Sequence, residues 1–252
     1  MIPVDEARQI ILDGINPLPL EKVNILEALG RVIGEDVAAP RNLPPKNNSA
    51  MDGYAVRAED TKAATTQNPI VLTVTEDIPA GTIPKQPLGA GQAARIMTGA
   101  PLPGGADAVV RMENTRKDGG KVHILAAAVS GLDIRVAGED VAAGETVVGR
   151  GTVIRPAEVG MLAALGRSFV YVNQRPTVAI LATGDELVDI DEPPSDWKII
   201  SSNSYATAAQ VLESSAAILQ LGIVKDCRED LISKFREASR ADLIISSGGV
   251  SV

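Results

Sequence analysis

The sequence predicts a multidomain protein that joins α+β and α/β segments around an inserted all-β domain. Three observations lead to this fold class. Short apolar runs separated by Gly/Pro turns fill residues 50–150, a spacing typical of a compact β domain or barrel. Strand and helix patterns alternate from residue 176 onward, which indicates parallel α/β layers. With 252 residues, the chain is long enough for two or three domains with real cores.

The N-terminal segment predicts two short helices and a strand. Residues 3–13 have the apolar spacing of one helical face, and Gly14 follows as a plausible end. A second short helix is expected to end at Gly30. The stretch RVIGEDVAAP then reads as a strand closed by Pro40.

The central segment predicts β-structure. Four short runs have strand character and are separated by glycine and proline turns: IVLTV, AARIM, DAVVRM and KVHIL. A short helix follows, with Pro156 at its start and Gly166 at its end.

The C-terminal segment predicts alternating strands and helices. TVAILATGDEL reads as a buried strand that runs into a glycine turn, and SYATAAQVLESSAAILQLG as a helix of about five turns stopped by Gly222. IVKD is then a short strand, REDLISKFREASR an amphipathic helix and ADLIISSGGVSV a further strand. Because an open α/β sheet rarely finishes without a covering helix, we expect a fragment of a longer protein; a natural terminus is the alternative.

Composition excludes several classes of protein. No apolar run approaches the ~20 residues that cross a bilayer, and the acidic N-terminus lacks the pattern of a secretory signal, so we expect a cytoplasmic protein that binds no membrane. One cysteine, Cys227, and one histidine, His123, leave neither an internal disulfide nor a Cys/His zinc cluster. The net charge of −8 argues against nucleic acid as a partner. A small anionic ligand would need glycine-turn N–H groups or a bridging hard cation.

Three polar turns follow three successive strands of the predicted parallel sheet. They are TGDEL at 183–187, Asp226 after GIVK, and SSGGVS at 246–251. Such turns share one edge of the sheet, where ligands of open α/β folds bind. Glycine N–H groups, serine hydroxyls and carboxylates at this edge predict a phosphate site with magnesium. Taken singly, each turn also fits an ordinary loop, a helix cap or a solvated acid.

Several longer stretches closely resemble the molybdopterin molybdenumtransferase family, which includes the bacterial MoeA proteins and the E domain of gephyrin. They occur in family order across nearly the whole chain: NNSAMDGYAVR, RIMTGAPLPGGADAVVRME, RVAGEDVAAGE, PTVAILATGDEL, SSNSY and IISSGGVSV. The resemblance implies that molybdate is inserted into adenylylated molybdopterin with release of AMP and with Mg²⁺ as cofactor. It also implies a homodimer with a shared active site, and molybdopterin adenylyltransferase as a candidate partner.

The resemblance also implies a division into domains. Residues 1–44 hold the N-terminal helices and part of a small α+β linker domain, and residues 45–140 hold the inserted β domain. The linker domain returns over 141–174. Residues 175–252 form a three-layer α/β/α molybdopterin-binding domain that is incomplete at its C-terminus.

The family's motifs give each candidate residue a role. The implied catalytic positions are Asp52, Thr98, Asp140, Glu186 and Asp226, of which Glu186 and Asp226 would hold the metal. The implied ligand-binding positions are Gly184, Asp185, Ser202, Asn203, Ser247, Gly248, Gly249 and Ser251. The opening aspartate of DGYAV is thus expected to be presented to a ligand by the β domain.

One departure from the family pattern concerns the end of the chain. The family's loop continues past GGVSV to a further glycine and an acidic residue, and its members continue into a C-terminal β domain. We therefore expect these 252 residues alone to be inactive. A dimeric scaffold or pterin-binding module of the same fold is the alternative function. A nicotinamide-dependent dehydrogenase is disfavoured because no GxGxxG follows the first α/β strand.

Overall fold

A computed structural model of the protein describes residues 2–193 and 195–248. The chain divides into two compact units. The α/β unit comprises Met1–Asp36 and Val148–Val252, and the β unit comprises Val37–Val147. Over the described residues, no helix is long and apolar enough to cross a membrane, and the cytoplasmic location stays a prediction.

The helices and strands are numbered in chain order. The α-helices of the described residues are α1 Val4–Asp13, α2 Pro156–Ala164, α3 Ser202–Glu213 and α4 Arg228–Ala238. The strands of the β unit are β2 Val37–Ala38, β3 Asn48–Ser49, β4 Gly53–Val56, β5 Ile70–Ile78, β6 Gln92–Ile96, β7 Ala108–Arg111, β8 Thr115–Asp118, β9 Lys121–Ile124, β10 Ile134–Arg135 and β11 Thr146–Val148, whose last residue already belongs to the α/β unit. The strands of the α/β unit are β1 Leu20–Asn24, β12 Phe169–Asn173, β13 Thr177–Thr183, β14 Leu187–Val188, β15 Ile199–Ile200, β16 Ala217–Val224 and β17 Leu243–Ser247.

The β unit is built on a six-stranded sheet in the order β7-β4-β6-β5-β9-β8. The two faces of this sheet bury separate apolar clusters, because alternate residues of a strand point to opposite sides. Tyr54 and Ala93 belong to one cluster, and Ala55 and Ala94 to the other. The four predicted runs all lie in this sheet. The sheet holds β4 between two neighbours, which fixes the start of the strand just after Asp52.

The C-terminal part of the α/β unit is a three-layer arrangement. Its central sheet has the order β16-β13-β17, and both outer strands pair parallel to β13. Val178 and Ile180 pack with α3, whereas Ala179 and Leu181 pack on the side of α4. A strand buried on both faces has to be apolar throughout, and this explains the unbroken TVAILA run.

The predicted helix ending at Gly30 is wrong. Residues 20–24 form β1, which pairs antiparallel with β12, and residues 25–30 are turns. Pairing with another strand overrides the weak helical spacing of this short stretch. In RVIGEDVAAP only Val37–Ala38 is a strand, while Val32 and Ile33 form isolated bridges.

The predicted five-turn helix is also wrong in its second half. The helix α3 ends at Glu213, and Ser215 has a φ of 62°, a left-handed conformation that stops a helix. The chain then enters β16, which runs through Gly222 and includes the first residues of the predicted IVKD strand. Gly222, which has a φ of 76°, marks an irregularity in the pairing of β16 with β13 and does not cap a helix.

Candidate functional site

The described parts of the three predicted turns, which reach Gly248 in the third, lie at one sheet edge. Thr183, Val224 and Ser247 end β13, β16 and β17, and the parallel pairing brings these carboxyl ends side by side. The N–H of Asp226 approaches Asp185 Oδ1 at 3.4 Å, which links the first turn to the second. The crevice of the open α/β sheet therefore lies at the carboxyl ends of β13, β16 and β17, the edge that the sequence predicted.

A cavity of about 210 Å³ opens at this edge. Five of the predicted residues contribute to its wall: Glu186, Ser202, Asn203, Ser247 and Gly248. Helix α3 begins at Ser202, which lines the cavity, so the N-terminus of α3 lies at the cavity wall. The first N–H groups of a helix have no hydrogen-bond partner within it. A helix N-terminus together with serine and amide side chains suits an oxyanion.

Two glycines shape the crevice: Gly248 because a side chain would meet backbone, and Gly184 because its φ of 149° is one that other residues rarely adopt. A Cβ on Gly248, whose φ is 114°, would lie 2.3 Å from the carbonyl oxygen of Thr183. A Cβ on Gly184 would lie 2.6 Å from the carboxylate oxygens of Glu186. The close approach of the third turn to the first thus depends on glycine. Two further predicted residues, Gly249 and Ser251, lie outside the described residues.

The cavity has further lining residues that were not among the predicted site residues. They are Thr183, Leu187, Ile199, Ile200 and Ser201. The isoleucines come from β15, whose pairing with β14 is extended by a hydrogen bond from the N–H of Ile199 to the Glu186 carbonyl, 2.9 Å. Apolar residues carry no chemical signature, so only the pairing reveals them. Lys198 Nζ donates to the Asp185 carbonyl and adds a positive charge beside the turn.

In the β unit, Asp52 and Thr98 are joined by hydrogen bonds, and we call this pair the Asp52–Thr98 corner. Asp52 Oδ1 accepts hydrogen bonds from the Thr98 N–H at 2.7 Å and from Thr98 Oγ1 at 2.8 Å. These bonds, the main-chain bond first, lower the pKa of Asp52, and the charge of Arg95 adds a smaller effect in the same direction. The Asp52 carboxylate is therefore ionised at neutral pH, and both hydrogen bonds from Thr98 go to the same oxygen.

Gly53 explains why glycine follows this aspartate. A Cβ there would lie 2.1 Å from the Val110 carbonyl oxygen on the neighbouring strand β7. The N–H of Met112 also donates to the Asp52 carbonyl at 3.1 Å. Gly53 thus allows β4 to pair closely with β7, while Asp52, the residue before it, keeps its side chain in contact with Thr98.

Asp140 belongs to a separate cluster of the β unit. Arg135 bonds Glu139 at 2.9 Å and also pairs with Asp140, so one guanidinium holds two neighbouring carboxylates. The hydrogen bonds from Arg135 and from the Val136 N–H lower the pKa of Glu139. No hydrogen bond or ion pair joins Asp140 to the Asp52–Thr98 corner in the part of the chain that the structure describes.

Three carboxylates at this sheet edge, those of Asp185, Glu186 and Asp226, bear on the predicted magnesium site. Across residues 2–193 and 195–248, no three His, Cys, Asp or Glu side chains lie close enough to hold a metal ion by themselves. Asp185, Glu186 and Asp226 nevertheless offer the oxygen ligands that magnesium prefers, and magnesium often binds through one or two carboxylates and completes its shell with substrate phosphates and water. Glu186 lines the cavity and supplies one such carboxylate, whereas Asp185 and Asp226 are not among the described residues that line it.

Residues 2–166 match the family model described as the MoeA N-terminal region (domain I and II). The chain belongs to the MoeA family. Residues 179–252 of this MoeA chain match the model of a probable molybdopterin binding domain, and they include the whole crevice. These matches confirm the resemblance on which the sequence analysis relied.

The relatives and solved structures agree with this assignment. The chain is 44% identical to molybdopterin molybdenumtransferase 2 of Mycobacterium tuberculosis, and the alignment covers 100% of the chain and 62% of that protein. It is 43% identical to the molybdopterin molybdenumtransferase of a Nostoc species, covering 92% of the chain and 53% of the relative. A crystal structure of the molybdopterin biosynthesis MoeA protein from Pyrococcus horikoshii OT3 superposes with a TM-score of 0.91 at 37% identity, covering 100% of this chain and 67% of that one.

The MoeA match confirms the predicted multidomain α+β and α/β class. The chain spans about three fifths of the length of the curated relatives that it matches end to end.

Proposed function

We propose that this protein acts in molybdenum cofactor biosynthesis, as a molybdopterin molybdenumtransferase that inserts molybdate into adenylylated molybdopterin and releases AMP. The observation that carries the proposal is the crevice: Glu186, Ser202, Asn203, Ser247 and Gly248 line one cavity within the segment that matches a molybdopterin binding domain. Relatives at 44% and 37% identity bear the name of this enzyme.

The crevice residues bind and orient an anionic substrate in this proposal. The first N–H groups of α3 and the hydroxyls of Ser202 and Ser247 are donors for phosphate oxygens. Ile199 and Ile200 supply an apolar wall for the flat pterin ring. Binding energy from these contacts would fix the substrate's phosphate next to Glu186.

An oxygen of water or of molybdate attacks phosphorus and AMP leaves, which breaks the anhydride linkage between the pterin phosphate and AMP. Glu186 and Asp226 would hold a magnesium ion against its oxygens, with Asp185 next to them. Bound there, magnesium neutralises phosphate charge and polarises the phosphoryl oxygens. The chain's own carboxylates otherwise repel an anionic substrate, because the protein carries a net charge of −8. The chemistry needs no covalent nucleophile, so Cys227, which is exposed, has no step assigned to it.

Asp52 and Thr98 would serve the same reaction from the β unit. Asp52 is held ionised by Thr98, and a fixed carboxylate can position a cation or a water molecule at the reacting group. We propose that the protein is a homodimer in which the β unit of one copy contributes these residues to the crevice of the other. Molybdopterin adenylyltransferase is the candidate partner, because a reaction of that class must supply the adenylylated substrate.

The test is an assay of cofactor formation from molybdate and adenylylated molybdopterin. The assayed protein, which we call the chimera, joins residues 1–252 of this chain to the remaining C-terminal segment of the Mycobacterium tuberculosis relative. Formation of molybdenum cofactor and AMP in equal amounts supports the proposal. Tight binding of the pterin substrate without AMP release favours the scaffold or pterin-binding alternative.

A further inference from the structure

Three carboxylates lie at the sheet edge of the crevice, those of Asp185, Glu186 and Asp226. The whole chain carries a net charge of −8, so an anion that approaches this edge meets repulsion from both the nearby groups and the protein as a whole. A positive charge fixed beside the crevice would offset that repulsion. Lys198 is in the position to supply it.

Lys198 is held against the first turn of the crevice. Its Nζ donates a hydrogen bond to the carbonyl oxygen of Asp185. The N–H of the next residue, Ile199, donates to the Glu186 carbonyl at 2.9 Å, and the parallel pairing of β14 with β15 continues this contact. The ammonium group of Lys198 therefore lies at the turn that carries Asp185 and Glu186.

The charge of Lys198 is not neutralised by a carboxylate. Its side chain is exposed, and none of the ion pairs among the described residues involves it. An ammonium group has three donors, so its bond to one carbonyl oxygen leaves two of them and the whole charge for another partner. Lys225, which precedes Asp226, instead lines a separate cavity together with Lys234.

We propose that Lys198 is a specificity-determining residue that favours anionic ligands in the crevice through its charge. The inference rests on the proposed function, because that function gives the crevice an anionic substrate. Lys198 is followed by β15 and then by Ser202 and Asn203, so the cation and part of the cavity wall belong to one continuous segment. The attraction acts over about 8 Å at physiological ionic strength, so the ammonium group does not have to touch the anion.

A purely structural role for Lys198 is the competing explanation. In that case the side chain only holds the turn of Asp185 in place, and its charge does not act on the ligand. Salt distinguishes the two roles, because dissolved ions screen a charge interaction between exposed groups and leave the geometry of a turn unchanged.

The test is an NMR titration of the protein's amide resonances with inorganic pyrophosphate in the absence of divalent cations. We expect saturable changes at the cavity residues Ser202, Asn203 and Ser247. At low salt, Lys198→Met should weaken binding roughly fivefold, whereas Lys198→Arg, which keeps the charge, should bind within about twofold of the wild type. In roughly 500 mM salt, the affinities of the wild type and Lys198→Met should converge to within about twofold. Lys234→Met removes one positive charge from α4 and is the matched control, with wild-type affinity expected.

Four results would overturn the inference. They are the absence of saturable changes at these amides in the wild type, equal low-salt affinities of the wild type and Lys198→Met, an equal loss in Lys234→Met, and a loss in Lys198→Met that salt does not diminish. Turnover by the chimera is measured separately. An active chimera combined with any of these results rejects the role of Lys198 alone, whereas the expected binding combined with an inactive chimera rejects the proposed function alone.

Discussion

Asp52 and Thr98 are joined by two hydrogen bonds to a single carboxylate oxygen, one from the main-chain N–H at 2.7 Å and one from Oγ1 at 2.8 Å. The residues are far apart in sequence, yet β4 and β6 are adjacent in the sheet and bring them together. A carboxylate held in this way has a fixed orientation and a lowered pKa. This is the arrangement expected of a group that has to stay charged.

The first prediction concerns this pair. Thr98→Val removes the hydroxyl donor and keeps the main-chain donor, so the pKa of Asp52 should rise part of the way towards its ordinary value of about 3.9. Thr98→Ser, which retains the hydroxyl, should leave it nearly unchanged. A carboxyl NMR titration measures both values, and an unchanged pKa in the valine variant would show that the hydroxyl bond does not hold the carboxylate.

The same pair predicts how stability depends on pH. The folded-state pKa of Asp52 is lowered, so the ionised carboxylate stabilises the fold above the unfolded-state pKa, and this contribution is lost as the pH falls through the folded-state pKa. In Thr98→Val this contribution should be smaller, and its loss should be complete at a higher pH because the folded-state pKa is higher. Acid unfolding followed by circular dichroism provides the measurement, with Thr98→Ser again as the control.

The second prediction concerns Gly53. Gly53→Ala places a methyl group about 2 Å from the Val110 carbonyl oxygen. Because the backbone of a paired strand cannot move without disrupting the sheet, we expect the free energy of unfolding to fall by about 2 kcal/mol or more. Gly120→Ala in the same unit meets nothing within 4 Å and should change stability by less than about 0.5 kcal/mol. Denaturant unfolding compares them, and equal stabilities would refute the close contact.

How far the sequence predicts the molecule depends on the kind of interaction involved. The crevice turns were predicted because glycine and acidic residues follow apolar strands, and that local signal is strong. The β1 strand was mispredicted because Leu20–Asn24 becomes a strand only by pairing with Phe169–Asn173, a contact distant in sequence. The end of α3 was mispredicted because Ala217–Val224 pairs with Thr177–Thr183, which is also distant in sequence. Ile199 and Ile200 were missed because nothing in an isoleucine pair indicates a cavity wall.

The third prediction concerns Asp226. In the chimera, Asp226→Ala should abolish cofactor formation while it changes stability by less than about 0.5 kcal/mol, because this side chain is exposed at the end of a strand. Glu229→Gln, in the exposed first turn of α4, is the matched control and should retain full activity. If Asp226→Ala turns over near the wild-type rate, Asp226 is a solvent-exposed loop residue with no role in the reaction.

The fourth prediction concerns magnesium. Removal of divalent cations with a chelator should abolish cofactor formation by the chimera, and added magnesium should restore it. Glu186→Gln removes one charged ligand, so we expect the magnesium concentration for half-maximal activity to rise about tenfold. Asp189→Asn, whose carboxylate is engaged by Tyr205, serves as the comparison. A chelator-resistant reaction would contradict the metal assignment.

We propose that Asp52 and Asp226 act in one site that two copies of the chain build together. The decisive measurement uses two inactive homodimers of the chimera, one with Asp52→Ala and one with Asp226→Ala, mixed and allowed to exchange subunits. A mixed dimer then has one site with both acids intact and one with neither, so random pairing should restore up to about a quarter of wild-type activity. If mixed dimers form and every mixture stays inactive, both acids act within a single chain and the shared site is wrong.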